Sequence, residues 1–184
     1  MSRQKGSRGE REVAHIIQEW WRKLERTAEF IRTPLSGGWQ PNKKAAAHFK
    51  ANGDLMTTAA FFPFCVEVKW REQWSVDNFL DGKPTAPWAW WVQTCTAAAK
   101  QDGDVPMMWM RKNRIPGTAK SFPWLVLVPV EFVVAHTMSQ PDVRWSAELL
   151  RANRVDFGTV LPVAYDFNRF IEMAPQRMRT MEAK

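Results

Sequence analysis

One run of residues, Phe64-Cys65-Val66-Glu67-Val68-Lys69-Trp70, constrains this chain more than any other. Its β-branched and aromatic residues favour a strand, whose period of two puts Cys65, Glu67 and Lys69 on one face and Phe64, Val66, Val68 and Trp70 on the other. An acid and an amine therefore share one face of a core strand. The plain alternative is a solvated sheet face carrying a surface ion pair. Phe61 and Phe62 add to the apolar flank and make the strand too greasy for an exposed edge, so the charges line a cleft at its end. Buried charges are costly unless they meet each other, a metal or a ligand, which gives Asp54, in Gly53-Asp54-Leu55, a reason to join Glu67 and Lys69. Two carboxylates beside an amine make a divalent-metal site for phosphate chemistry.

The charge distribution points the same way. The net charge is +7, and residues 1–50 hold 11 Lys/Arg against 5 Asp/Glu, while residues 51–184 hold 15 against 14. The basic half brackets the proposed site, and Lys43, Lys44 and Lys50 precede Asp54, where cations would attract a phosphate backbone. A second basic cluster, Arg111, Lys112, Arg114 and Lys120, surrounds Pro116-Gly117. Charge runs are usually solvated faces, but two acid-free clusters accompanying the Asp54, Glu67 and Lys69 set favour nucleic-acid contact.

Length and a 45% apolar content fit a soluble protein with a sizeable core, and no apolar run reaches membrane length. The polar residues after Met1-Ser2-Arg3-Gln4-Lys5 give no secretory core, so a cytoplasmic location, bacterial or in a phage-infected host, is expected. Cys65 and Cys95 are read as buried small hydrophobes, and His15, His48 and His136 are isolated and not read as ligands.

Periodicity predicts a first helix over residues 7–26 from Val13, Ile16, Ile17, Trp20, Trp21 and Leu24. Ser7-Arg8-Gly9-Glu10 reads as a capping box at its start. Strands are expected at 30–32, 55–60, 64–70, 107–112 and 124–128. A helix is expected from about Pro87, with Thr85 as its cap and Trp88, Trp91, Val92, Cys95, Ala98 and Ala99 on its buried face. Gln93 lies on the polar face of that helix. A short helix over 144–152 and a terminal segment complete the chain. The expected division is a core at 1–135 and a helical or irregular extension at 136–184. The tryptophans fall mostly at core positions, except Trp39, which follows Ser36-Gly37-Gly38 in a polar loop and is placed to wedge against DNA.

Asp54 followed by Glu67-x-Lys69 resembles the motif of the PD-(D/E)xK nuclease superfamily. Lys5-Gly6-Ser7-Arg8-Gly9-Glu10-Arg11 and Arg32-Thr33-Pro34-Leu35-Ser36-Gly37 bring it closer to archaeal-type (Hjc-like) Holliday junction resolvases, over roughly residues 5–112. The resemblance implies an α/β, restriction-endonuclease-like α-β-β-β-α-β core, a mixed central sheet flanked by helices. It implies that Glu10 helps hold the metal and that Gln93 faces it. The long basic stretch between Ser36 and Asp54 and the tryptophan content depart from that pattern.

The function expected from these readings is hydrolysis of phosphodiesters by a metal-dependent endonuclease acting on four-way junctions. Asp54 and Glu67, with the Val68 carbonyl, would coordinate Mg²⁺ or Mn²⁺, and Lys69 would orient water or neutralise charge on the phosphate. Arg32 and Ser36 would hold the scissile phosphate, with Arg8, Arg11, Trp39, Lys43, Lys44 and Lys50 as further DNA contacts. The expected partners are branched double-stranded DNA and a second copy of the chain in a two-fold homodimer. A branch- or end-directed repair or restriction-type nuclease, and a DNA-binding module with a relic site, are the alternatives. The compact size fits a stand-alone protein, with a bacteriophage as one candidate source.

Overall fold

The computed structural model describes residues 2–34, 49–72, 74, 86–100, 104–112, 124–135, 143–144, 162–166, 170 and 172–173. Helix α1 (Ser2–Trp21) is amphipathic, and Val13, Ile17, Trp20 and Trp21 on its inner stripe are buried. It begins before Ser7, so Ser7 lies inside the helix and cannot be its N-cap. The capping box expected for Ser7 and Glu10 is therefore not formed. The helix also ends earlier than its periodicity suggests, the amides of Leu24 and Glu25 both turning back to the Trp21 carbonyl at 2.8 and 3.0 Å. A Cβ at Gly9 would lie 3.2 Å from both the Trp70 and Trp124 rings, so glycine lets this helix lie close on the sheet beneath it.

Strands β1 (Phe30–Arg32), β2 (Lys50–Asn52) and β3 (Leu55–Thr57) form an antiparallel sheet in the order β1-β3-β2. The short β2 has no counterpart among the strands expected from sequence. β3 stops at Thr57, whose hydroxyl accepts the Ala59 amide at 2.9 Å and turns the chain. Strand β4 (Phe64–Arg71), helix α2 (Ala86–Ala99) and strand β5 (Val105–Lys112) make a crossover unit, β4 and β5 pairing in parallel from Phe64↔Val105 to Arg71↔Lys112. Strand β6 (Leu125–Pro129) follows antiparallel, and helix α3 (Val130–Ala135) leads to strands β7 (Val143–Arg144) and β8 (Pro162–Asp166). The larger sheet has the order β4-β5-β6-β8-β7.

The fold is thus α/β, a mixed sheet flanked by helices with a small antiparallel sheet beside it, compatible with a restriction-endonuclease-like core. Two sequence expectations differ at the C-terminal end. Val143 and Arg144 are in a strand, not at the start of a helix, and residues 145–152 lie outside the described residues. β8 enters the larger sheet between β6 and β7, and Phe170 is fully buried. Strands that join a sheet from a distance leave no local signal beyond a short apolar run.

The alternation of β5 separates two cores, Met107 and Trp109 facing one and Met108 and Met110 the other. Phe64, Val66 and Val68 pack with Val13, Ile17, Met107, Trp109, Trp124 and Phe170 under α1. Met108, Met110 and Leu127 pack with Trp74, Trp88 and Trp91 under α2. Trp20, Trp21, Trp74, Trp88, Trp91, Trp109 and Trp124 are all buried, so the tryptophans serve mainly to fill these layers. Val92 is 45% exposed and Ala99 is exposed, against expectation; α2 is apolar nearly all round, and the stripe through Trp88, Trp91, Thr94 and Ala98 faces the sheet instead. Cys65 is a buried free thiol, as expected, whereas the free thiol of Cys95 is only half-buried; burial pushes both up to about 12. Among the described residues no helix is long and apolar enough to cross a membrane.

Candidate active site

β2 and β3 are joined by two residues, Gly53 and Asp54, and this corner docks on the free edge of β4. Gly53 has φ of +78°, a conformation L side chains rarely adopt, and a Cβ there would come within 2.4 Å of the Val66 carbonyl oxygen. Only glycine allows that approach. It lets the Asp54 amide donate to the Val66 carbonyl at 2.7 Å, while the Asp54 carboxylate accepts the Val68 amide through Oδ2 at 2.9 Å. Gly53→Ala is therefore expected to lower stability by about 2–4 kcal/mol and to displace Asp54, which thermal melting would show.

Glu67 and Lys69 share the opposite face of β4 from Val66 and Val68, as the alternation requires, and their side chains are in direct contact. Gln93 of α2 closes the group, accepting from Lys69 Nζ at 3.3 Å and donating to Glu67 Oε1 at 3.4 Å. Asp54 and Glu67 are each 8% exposed. Burial, followed by the charge of Glu67 and more weakly that of Glu10, pushes the Asp54 carboxyl up to about 7, with the Val68 amide and Lys69 opposing. The structure thus brings Asp54, Glu67, Lys69 and Gln93 to one place, with Glu10 within electrostatic reach. Val68 takes part through its amide.

Glu10, 7% exposed on α1, forms an ion pair with Arg32 at the end of β1. Arg32 is thus engaged with Glu10, a partner its sequence position did not reveal. Lys50 pairs with Asp104 just before β5, so its charge is partly matched within the protein. Arg8 and Arg11 are exposed, and Arg8 lies 5.9 Å from the centroid of the Trp70 ring. Ser36, Trp39, Lys43 and Lys44 fall outside the described residues, as do Arg114 and Lys120.

Sequence reasoning missed Glu12. Its carboxylate accepts two bonds from Arg111 Nη1, at 2.9 and 3.0 Å, and one from Trp124 Nε1 at 3.0 Å, and Arg111 stacks 4.3 Å from the Trp70 centroid. Arg111 looked free of acids along the chain, but the fold supplies one from α1.

Among the described residues no group of three or more His, Cys, Asp and Glu side chains forms a ready metal cage. The donor chemistry nevertheless fits a hard cation: Asp54 and Glu67 are buried and acidic, the Glu67 charge disfavours that of Asp54, and both side chains offer only oxygen. A divalent ion would relieve the penalty that pushes Asp54 up.

Residues 1–178 match the family described as "Phage putative PDDEXK endonuclease". The chain belongs to that family. Searches of curated proteins and of solved structures gave no match. The match takes in every element from α1 to β8, so the phage PDDEXK endonuclease family covers both the site and the C-terminal strands. The protein is accordingly a nuclease of the PD-(D/E)xK superfamily, a class that typically uses divalent metals and acts on DNA.

Proposed function

We propose that this phage-type PDDEXK endonuclease is a Mg²⁺- or Mn²⁺-dependent endodeoxyribonuclease that resolves four-way DNA junctions as a homodimer. The observation that carries the chemistry is the interlock at the β4 edge, where Asp54 is held by the Val68 amide beside the Glu67–Lys69 pair. Asp54 and Glu67 would hold the cation, with Glu10 nearby and the Val68 carbonyl as a further oxygen. Such an ion would supply Lewis-acid polarisation of the scissile phosphate and make a nearby water more acidic. Lys69 would orient the attacking water or neutralise charge developing on the phosphate, and Gln93 would fix the Lys69 ammonium. Burial of Asp54 and Glu67 keeps bulk water from screening these charges.

The junction reading rests on the sequence resemblance of the Lys5–Arg11 and Arg32–Gly37 motifs, and on the basic charge concentrated before residue 51. Arg8, Arg11, Arg32, Ser36, Lys43, Lys44 and Lys50 would contact the phosphate backbone and Trp39 would wedge against the DNA, giving binding that follows branch shape and falls steeply with salt. Two sites related by a two-fold axis would place paired nicks on opposing strands of a four-way junction. A mixed dimer of wild-type and Glu67→Gln subunits should then nick one strand alone. Incubation with four-way, flap and linear duplex DNAs tests this, and a monomer that cuts linear duplex as readily as junctions would leave a general nuclease in its place.

A further inference from the structure

The corner that presents Asp54 is held on its far side by a residue that has no part in the chemistry outlined above. Thr33, directly after β1, is 8% exposed and binds both peptide carbonyls of the corner. Its hydroxyl donates to the Gly53 carbonyl at 2.9 Å, and its amide donates to the Asp54 carbonyl at 2.9 Å. On the near side the corner is pinned to β4 by the Asp54 amide and carboxylate. Gly53, with a positive φ and no Cβ, is the most permissive point of the corner, and the peptide that follows it is clamped at both ends, its amide on the Val66 carbonyl and its carbonyl on the Thr33 hydroxyl. Arg32, the chain neighbour of Thr33, pairs with Glu10, so two consecutive residues hold two acids of the same site from two different elements.

We infer that Thr33 is a positioning residue, which sets the Asp54 carboxylate for cation binding by locking the Gly53 carbonyl. The inference rests on the reading of Asp54 and Glu67 as a metal site. A threonine is suited to the task because its hydroxyl reaches the carbonyl while its methyl fills a buried position; valine keeps the shape and deletes the donor, and serine keeps the donor.

The test is calorimetric titration of the full-length protein with MnCl2, without DNA, for the wild type, Thr33→Val and Thr33→Ser, with melting in EDTA recorded alongside. Thr33→Val should weaken Mn²⁺ binding by about five- to tenfold, the effect of one buried hydrogen bond, and Thr33→Ser should stay within about twofold of the wild type. If Thr33→Val does not fold, Thr33→Ala removes the same donor and carries the same expectation. A folded variant without the hydroxyl that melts lower yet binds Mn²⁺ like the wild type would overturn the inference and leave Thr33 a packing residue. Absence of Mn²⁺ binding by the wild type would overturn the metal-site reading and this inference with it, so the two failures are distinguishable.

Discussion

Asp54→Asn should abolish cleavage and, at pH 8 without metal, melt about 5 °C higher than the wild type. The two effects have one origin. Burial and the neighbouring Glu67 charge push the Asp54 carboxyl from its ordinary 3.8 up to about 7. Relative to the unfolded chain, the folded protein therefore holds an extra proton between about pH 4 and pH 7, and the stability this residue supplies declines as pH rises through that window. Above it the ionised carboxylate is buried at a penalty on the order of a few kcal/mol. Asparagine has no charge to bury and retains an oxygen to accept the Val68 amide, so the variant's melting should vary less with pH between 4 and 7. Mg²⁺ should raise the wild-type melting point at pH 8 and leave that of Asp54→Asn nearly unchanged. Cleavage should drop about a thousandfold or more, while DNA binding is retained or strengthened because one negative charge fewer faces the phosphate backbone. Melting curves across pH with and without Mg²⁺, together with cleavage and DNA-binding assays, check every part of this.

Lys69→Met should lower cleavage by about a hundred- to thousandfold and destabilise the protein by about 1–3 kcal/mol. The side chain's stem is preserved, but Glu67 loses the cation that contacts it and keeps the Gln93 amide at 3.4 Å. Glu67→Gln should abolish cleavage with a smaller loss of stability, since it removes the charge that needs a partner. The double variant Glu67→Gln/Lys69→Met should recover most of the stability lost by Lys69→Met, because the pair is removed together, yet recover no activity. A double-mutant cycle read by both denaturant melts and single-turnover cleavage separates the ion pair's contribution to the fold from its role in the reaction. If activity and stability fall and recover together, the pair is a structural bridge.

The strand that carries Glu67 and Lys69 was legible because its signal is local: a period of two over one apolar run determines which side chains share a face. Asp54 could be joined to them by the cost of burying unmatched charge. Gln93 could be placed on its helix, although Val92 and Ala99 show how poorly a helix that is apolar nearly all round reports its own orientation. What was not legible depends on distance. Glu12 meets Arg111 across 99 positions and Trp124 across 112, so the basic cluster at 111–120 read as acid-free. The lock of Thr33 on Gly53, the pairing of Arg32 with Glu10 and the insertion of β8 between β6 and β7 are likewise products of topology, which residue patterns along the chain do not encode. Glu10 was open to two readings from sequence, a cap or a site residue. The start of α1 at Ser2 removes the first, and Glu10 is instead paired with Arg32, within electrostatic reach of Asp54.

The central claim, that Asp54, Glu67 and Lys69 form a metal-dependent endonuclease site, is tested most directly by cleavage of covalently closed circular DNA carrying an extruded inverted repeat, which presents a four-way junction and no ends to attack. Wild-type protein should convert the closed circle to the open or linear form with Mg²⁺ or Mn²⁺, fail to do so in EDTA, and lose the reaction on Asp54→Asn. Closed circles left intact by the wild type with either metal, or nicked by Asp54→Asn at the wild-type rate, would contradict it.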